Sequence, residues 1–181
     1  GTLDLRSGIV RVDSPHTKAA TASLRIALAG ATAGTGYGQE NFGGTAQFAG
    51  ALQVVLTNGF TVAQGNSFTL ATYAAHTGQF APLQLPPLPK ELVWKLDYGP
   101  TALTLLARQS TVASNLVRMN DGQFKFDLNG PASSSCIIAV STDLVTWSSV
   151  LTNTPFTGTL NFTDPAAVGQ DRRFYRITIT D

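Results

Sequence analysis

The 181-residue chain has little charge: Asp, Glu, Lys and Arg together make up 13% of it, about half the usual globular share. Its polar surface must therefore be built from Thr, Ser, Asn, Gln and Gly. That substitution is common in extracellular β proteins, where Thr suits a pleated surface. The net charge is +1, and neither half departs far from it: residues 1–108 carry seven basic and five acidic side chains, residues 109–181 five and six. This balance excludes the clustered basic face that nucleic acid demands. Cysteine is almost absent too. Cys136 stands alone, which excludes an internal disulfide, and its setting in the apolar run "CIIAV" reads as a small core residue. No apolar run approaches the roughly 18 residues of a membrane helix. No charged-then-apolar leader heads the chain, so an export signal is expected upstream of Gly1 or already removed.

Reactive side chains are equally sparse. Only His16 and His76 offer a base or soft ligand near neutral pH, and a pair sixty residues apart does not have the spacing of a metal site. The acidic residues of the first half (Asp4, Asp13, Glu40, Glu91 and Asp97) form no recurring pair of the kind hydrolysis needs. There is no Gly-x-Ser-x-Gly elbow, no cysteine signature and no calcium loop. "AGTGYGQ" places Gly34, Gly36 and Gly38 at every second position, which fits neither dinucleotide nor phosphate-loop spacing and reads as a flexible β loop carrying Tyr37. "LPPLPK" reads as a rigid extended connection between strands, and "NFT" at Asn161 as a sequon that matters only in a eukaryotic secretory pathway. No metal and no cofactor is called for.

Alternation of apolar and polar residues is the dominant pattern. Leu24, Ile26 and Leu28 share a face, as do Leu52, Val54 and Leu56, and Leu92, Trp94, Leu96 and Tyr98. Each run predicts a half-buried strand, expected to be antiparallel, with turns at "TNG", "QGN", "HTG" and "YGPT" between them. About nine strands precede Arg108, and five more follow. The expectation is an all-β chain: a β-sandwich or jelly-roll-like module, or one that terminates a β-solenoid, over 1–108; a linker over 109–115; and a small Ig- or fibronectin-like β module over 116–181. No fixed-period repeat is visible.

The residues Gly50, Leu52, Val54, Gly59, Phe60, Gly65, Phe68, Gly78, Phe80, Leu85, Pro86, Trp94, Leu96, Tyr98, Leu103 and Leu105 follow a pattern of strands and glycine turns. That pattern resembles a module near the C-terminus of large bacterial surface proteins: autotransporter-like β-strand-repeat proteins, as in Verrucomicrobia and Planctomycetes. "STDLVTW" with the terminal "RRFYRI" is similar to a short β module appended to it. The resemblance implies an exported, surface-displayed protein whose upstream part is a β-solenoid, and it supplies no catalytic residues. "STDLVTW" also echoes the aspartate box of sialidases, Ser-x-Asp-x-Gly-x-Thr-Trp, with the glycine place missing. Trp147 is accordingly expected to pin a hairpin, while Asp164 and Arg172–Arg173 are assigned turn and surface roles.

The resulting expectation is a non-catalytic structural, display or self-assembly element, at the bacterial cell surface or outside it. Its partners would be other copies or upstream solenoid segments, with no nucleic acid and no membrane span in this chain. The alternative is a carbohydrate-binding module. Its contacts would be Tyr37 and Tyr73, because exposed aromatic rings stack on sugar faces, whereas Trp94 is in phase with core residues.

Overall fold

The computed structural model describes residues 1–13, 16–17, 19–133 and 135–180, with backbone alone at 16 and 17. The chain is all-β and divides into two units, Gly1–Arg108 and Gln109–Asp181. Among the described residues one 3-10 turn, Pro165–Ala167, is the sole helical element.

The first unit is wound as a parallel β-helix. Its first coil is β1 (Thr2–Leu5), β2 (Ile9–Val12) and β3 (His16–Thr17). The second is β4 (Ser23–Leu28), β5 (Gln39–Phe42) and β6 (Thr45–Phe48); the third is β7 (Ala51–Leu56), β8 (Ser67–Thr72) and β9 (Ala75–Gly78). Strands at equivalent places stack in parallel: β1 on β4 on β7, β2 on β5 on β8, β3 on β6 on β9. A two-residue β10 (Leu83–Gln84) begins a fourth coil on the first face. The winding then stops. β11 (Leu92–Tyr98) and β12 (Ala102–Gln109) form a hairpin, and β12 pairs antiparallel with β8.

Of the architectures expected for 1–108, the solenoid-terminating one is present, and the strands of its coils are parallel where antiparallel ones were expected. Alternation cannot separate the two cases, because side chains point to opposite faces with period 2 in both. A repeat also exists that was not visible in the sequence. On the third face Ala46 lies thirty residues after its partner His16 and thirty before His76. On the first face the spacings are 21, 28 and 31 residues (Thr2 with Ser23, Ser23 with Ala51, Leu52 with Leu83). The corners differ in length, since β1 and β2 are joined by residues 6–8 but β4 and β5 by residues 29–38. Unequal corners blur the period.

The interior is filled by columns of side chains that stack from coil to coil. Leu24, Ile26 and Leu28 of β4 lie beside Leu52, Val54 and Leu56 of β7. Phe68, Leu70, Leu103 and Leu105 complete the core from β8 and β12. Each fully buried leucine contributes about 2 kcal/mol of apolar transfer.

The second unit has two three-stranded antiparallel sheets. One is β13 (Val112–Arg118), β14 (Phe124–Asn129) and β17 (Thr159–Asp164); the other is β16 (Ser148–Asn153), β15 (Ser135–Ser141) and β18 (Phe174–Thr180). Phe126, Leu128 and Phe162 of the first meet Cys136 and Ile138 of the second in one core, the two-sheet arrangement of a small Ig- or fibronectin-like module. The residues read as a linker, 109–115, contain the first half of β13. Their polar composition belongs to an edge strand with exposed faces.

Candidate functional site

The two residues proposed to contact sugar are in the core. Tyr37 is 2% exposed and Tyr73 5%, so neither ring is available for stacking on a ligand. Tyr37 sits edge-on to Phe68 at 5.5 Å. Tyr73 donates from its hydroxyl to the Gly99 carbonyl at 2.9 Å and packs on Phe48. Burial pushes both phenols above their ordinary pKa. The glycines explain why the "AGTGYGQ" loop does not stand free. A Cβ on Gly36 would meet the Gly30 backbone at 2.7 Å, and one on Gly38 would meet Leu5 Cβ at 2.7 Å. The loop lies flat on the coil beneath it and turns Tyr37 inward. Alternate small residues beside an aromatic were the signal for this close approach.

Trp94 is core-facing as expected, its indole N–H donating to the Pro86 carbonyl at 2.9 Å. His16 and His76 share a register column with Ala46 between them, two strand spacings of about 4.8 Å apart. The His76 ring lies against Phe48, Tyr73 and Tyr98. Among the described residues no group of three His, Cys, Asp or Glu side chains converges on a metal-sized site. Cys136 is buried, which raises its thiol pKa.

The hairpin over 141–147 solves its missing glycine in an unexpected way. Leu144 itself adopts φ +64°, a region that costs an L-residue about 1–2 kcal/mol. Side-chain oxygens hold it there. The Ser141 hydroxyl oxygen accepts from the amides of Asp143 and Leu144, and Asp143 Oδ1 accepts from those of Val145 and Thr146, both at 2.8 Å. These backbone donors, Thr146 first, hold the Asp143 carboxyl down at about 2. The Trp147 indole donates to Leu144 O at 3.2 Å, and the Arg176 guanidinium lies 4.4 Å above its ring. Trp147 closes the hairpin.

Asp164 takes the turn role read for it, capping the Pro165–Ala167 turn. Its buried carboxylate also gathers half-buried Arg173, expected at the surface, and half-buried Tyr175 into a hub. Arg173 Nε and Nη2 donate to the Asp164 carboxylate, as do the Tyr175 hydroxyl at 3.0 Å and the Ala166 amide at 3.0 Å. Burial first, and then the carboxylate it bonds, push the Tyr175 phenol up to about 12. The arrangement resembles a tyrosine corner in which a side chain replaces the backbone acceptor. A cleft of about 270 Å³ beside it is lined by Arg118, Phe124, Gln170 and Asp171, but the Arg173 guanidinium is already engaged by Asp164. The hub is structural.

What stands out is the first coil of the β-helix. All three of its strands lie at sheet edges: β1, β2 and β3 each end their order. Its interior columns are uncovered in part on that side, Leu5 being buried at 4% exposure. Leu3 is 39% exposed, while its column neighbours Leu24 and Leu52 are 1% and 0%. Val10, above Glu40 in the second face, is 36% exposed. The outward charged side chains of this coil are paired with one another or with the second coil. Arg25 Nη1 donates to Asp4 Oδ1 at 2.8 Å, and Arg11 Nε to Asp13 Oδ1 at 2.8 Å. The Arg25 hydrogen bond leads in lowering the Asp4 carboxyl. Apolar residues on an open interior, flanked by charge outside, form an edge that can take another coil.

No protein-family model matches this chain, and comparison with the curated proteins and with the solved structures likewise finds no match.

Proposed function

We propose that this chain is a non-catalytic structural module of an exported bacterial surface protein, placed where a β-helical stalk ends and a small β-sandwich is displayed. The observation that carries this reading is the closed end of the first unit. There the parallel winding stops, and the β11–β12 hairpin covers β8 in the antiparallel sense. A solenoid needs such an end, because an uncapped stack leaves a pairing-competent edge. The low charge and the resemblance of the glycine–strand pattern to bacterial surface modules support the cellular setting. The sugar-binding alternative has lost both of its named contacts to the core.

The test is surface labelling of intact cells that produce the protein naturally, with an antibody raised against this chain. Labelling without permeabilisation is expected. Labelling that appears only after permeabilisation would overturn the reading.

A further inference from the structure

We propose that the cleft beside the Asp164 hub, within the second unit, is a binding site for one uncharged pyranose ring of a glycan. This goes beyond the structural reading above and does not depend on it. The cleft has two banks. Arg118 and Phe124, paired in register across the β13–β14 hairpin, form one; Gln170 and Asp171, in the loop that follows β17, form the other. Arg173 and Tyr175 of the hub complete the lining. Both banks are tied down. At the hairpin turn the Met119 amide donates to the Gln123 carbonyl and the Gly122 amide to that of Met119. The loop is held by the Asp164 cap and by the Gln170 amide on the Ala167 carbonyl at 3.1 Å. The two banks meet at Gly122, where a Cβ would lie 3.6 Å from Val168 Cα. A site preformed in this way loses little freedom on binding.

The lining specifies the ligand. Phe124 and Tyr175 stack with centroids 5.0 Å apart and ring planes 21° from parallel. They give the cleft an apolar wall of the kind that packs against the C–H face of a sugar. Around it stand polar groups that the fold does not use. Asp164 holds Arg173 through Nε and Nη2, the structural bond of the hub, and leaves the two N–H donors of Nη1 over. Arg118, Gln170 and Asp171 are exposed, and no hydrogen bond or ion pair among the described residues engages their side chains. Guanidinium and amide N–H groups donate, the Asp171 carboxylate and the Gln170 side-chain carbonyl accept, and neighbouring ring hydroxyls need both. Charge decides between ligand classes. With Asp164 counted, the cleft holds two guanidinium groups and two carboxylates. It balances to zero and offers no net attraction to a carboxylate, sulfate or phosphate. Its volume of about 270 Å³ lies at the small end for ligand sites, about 300 Å³, which suits one ring with its neighbours in solvent.

The experiment titrates the full chain with the methyl glycosides of glucose, galactose and mannose and follows its amide resonances. Saturable shifts at Arg118, Phe124, Gln170 and Asp171 are expected with at least one of the three. Arg118→Ala and Asp171→Ala are each expected to weaken that binding by at least about tenfold, the loss of one charge-assisted hydrogen bond. Lys125→Ala, on the opposite face of β14 from Phe124, leaves it unchanged. Arg118 and Asp171 bond nothing else among the described residues, so their variants keep the parent spectrum outside the cleft. No saturable shift with any of the three glycosides would overturn the inference, as would shifts that survive both variants. Tighter binding of methyl glucuronide than of methyl glucoside would overturn the uncharged ligand. None of these outcomes moves with the cell-labelling result.

Discussion

At the scale of single residues, the 141–147 hairpin shows how a turn can form without the residue it favours. Leu144 holds φ +64° and is more than half exposed, so its side chain gives little burial in return for the strain. Leu144→Gly is expected to stabilise the second unit by roughly 0.5–1 kcal/mol, the relief of the left-handed cost less the added freedom of the unfolded chain. The urea dependence of amide exchange in β15 and β16 would register it. The same turn makes a pH prediction. The folded pKa of Asp143, about 2, lies below its ordinary value of 3.8. Its contribution is therefore complete above the ordinary value and is lost as pH falls through the folded one. The amide resonances of Val145 and Thr146 are expected to titrate with a midpoint near 2; a midpoint near 4 would mean that the carboxylate does not accept from them.

At the scale of elements, the corners of the β-helix decide whether successive strands can stack. Gly50, between β6 and β7, has φ +74°, and a Cβ there would lie 2.1 Å from the Ala22 carbonyl oxygen. That oxygen accepts from the Ala51 amide in the ladder between coils, so it cannot retreat without opening the register. Gly50→Ala combines a backbone penalty with a clash and is expected to cost about 3 kcal/mol. Gly59, also at positive φ but with nothing within 4 Å, is the control, and Gly59→Ala should cost about 1 kcal/mol. Equilibrium urea unfolding of the two variants compares them. Equal losses would mean that close approach at the first corner is not what selects glycine there.

For the molecule as a whole, the closed end of the β-helix bounds what can be added there. With β12 lying antiparallel on β8, a further parallel coil has no complete set of edges to stack on at that end. Head-to-tail growth of filaments through that end, one of the roles expected of the chain, is therefore predicted not to occur. Light scattering over a wide concentration range should show no growing species. The exposed apolar residues of the first coil do not contradict that outcome, because the outward ion pairs of Asp4 and Arg11 flank them with charge, a common guard on edge strands.

The sequence by itself determined the strand content, the boundary after Arg108, the core faces of "SLRIALAG" and "ALQVVL", the inward Trp94 and the role of Trp147. Each is a local matter of alternation, turn residues and composition, which a single strand records in its own residues. Only the tertiary structure decided that the coils are parallel, that they repeat about every thirty residues on the third face, and that Tyr37 and Tyr73 point inward. Parallel and antiparallel strands share one side-chain period, and unequal corners hide a repeat. The fate of Tyr37 depends on Gly36 meeting Gly30 within its own corner and on Gly38 meeting Leu5 of the first coil, an approach the winding brings about. The Asp164–Arg173–Tyr175 hub escaped notice for the same reason: its charge pair spans nine residues and a change of sheet, and burial is a property of neighbours that strand alternation does not encode.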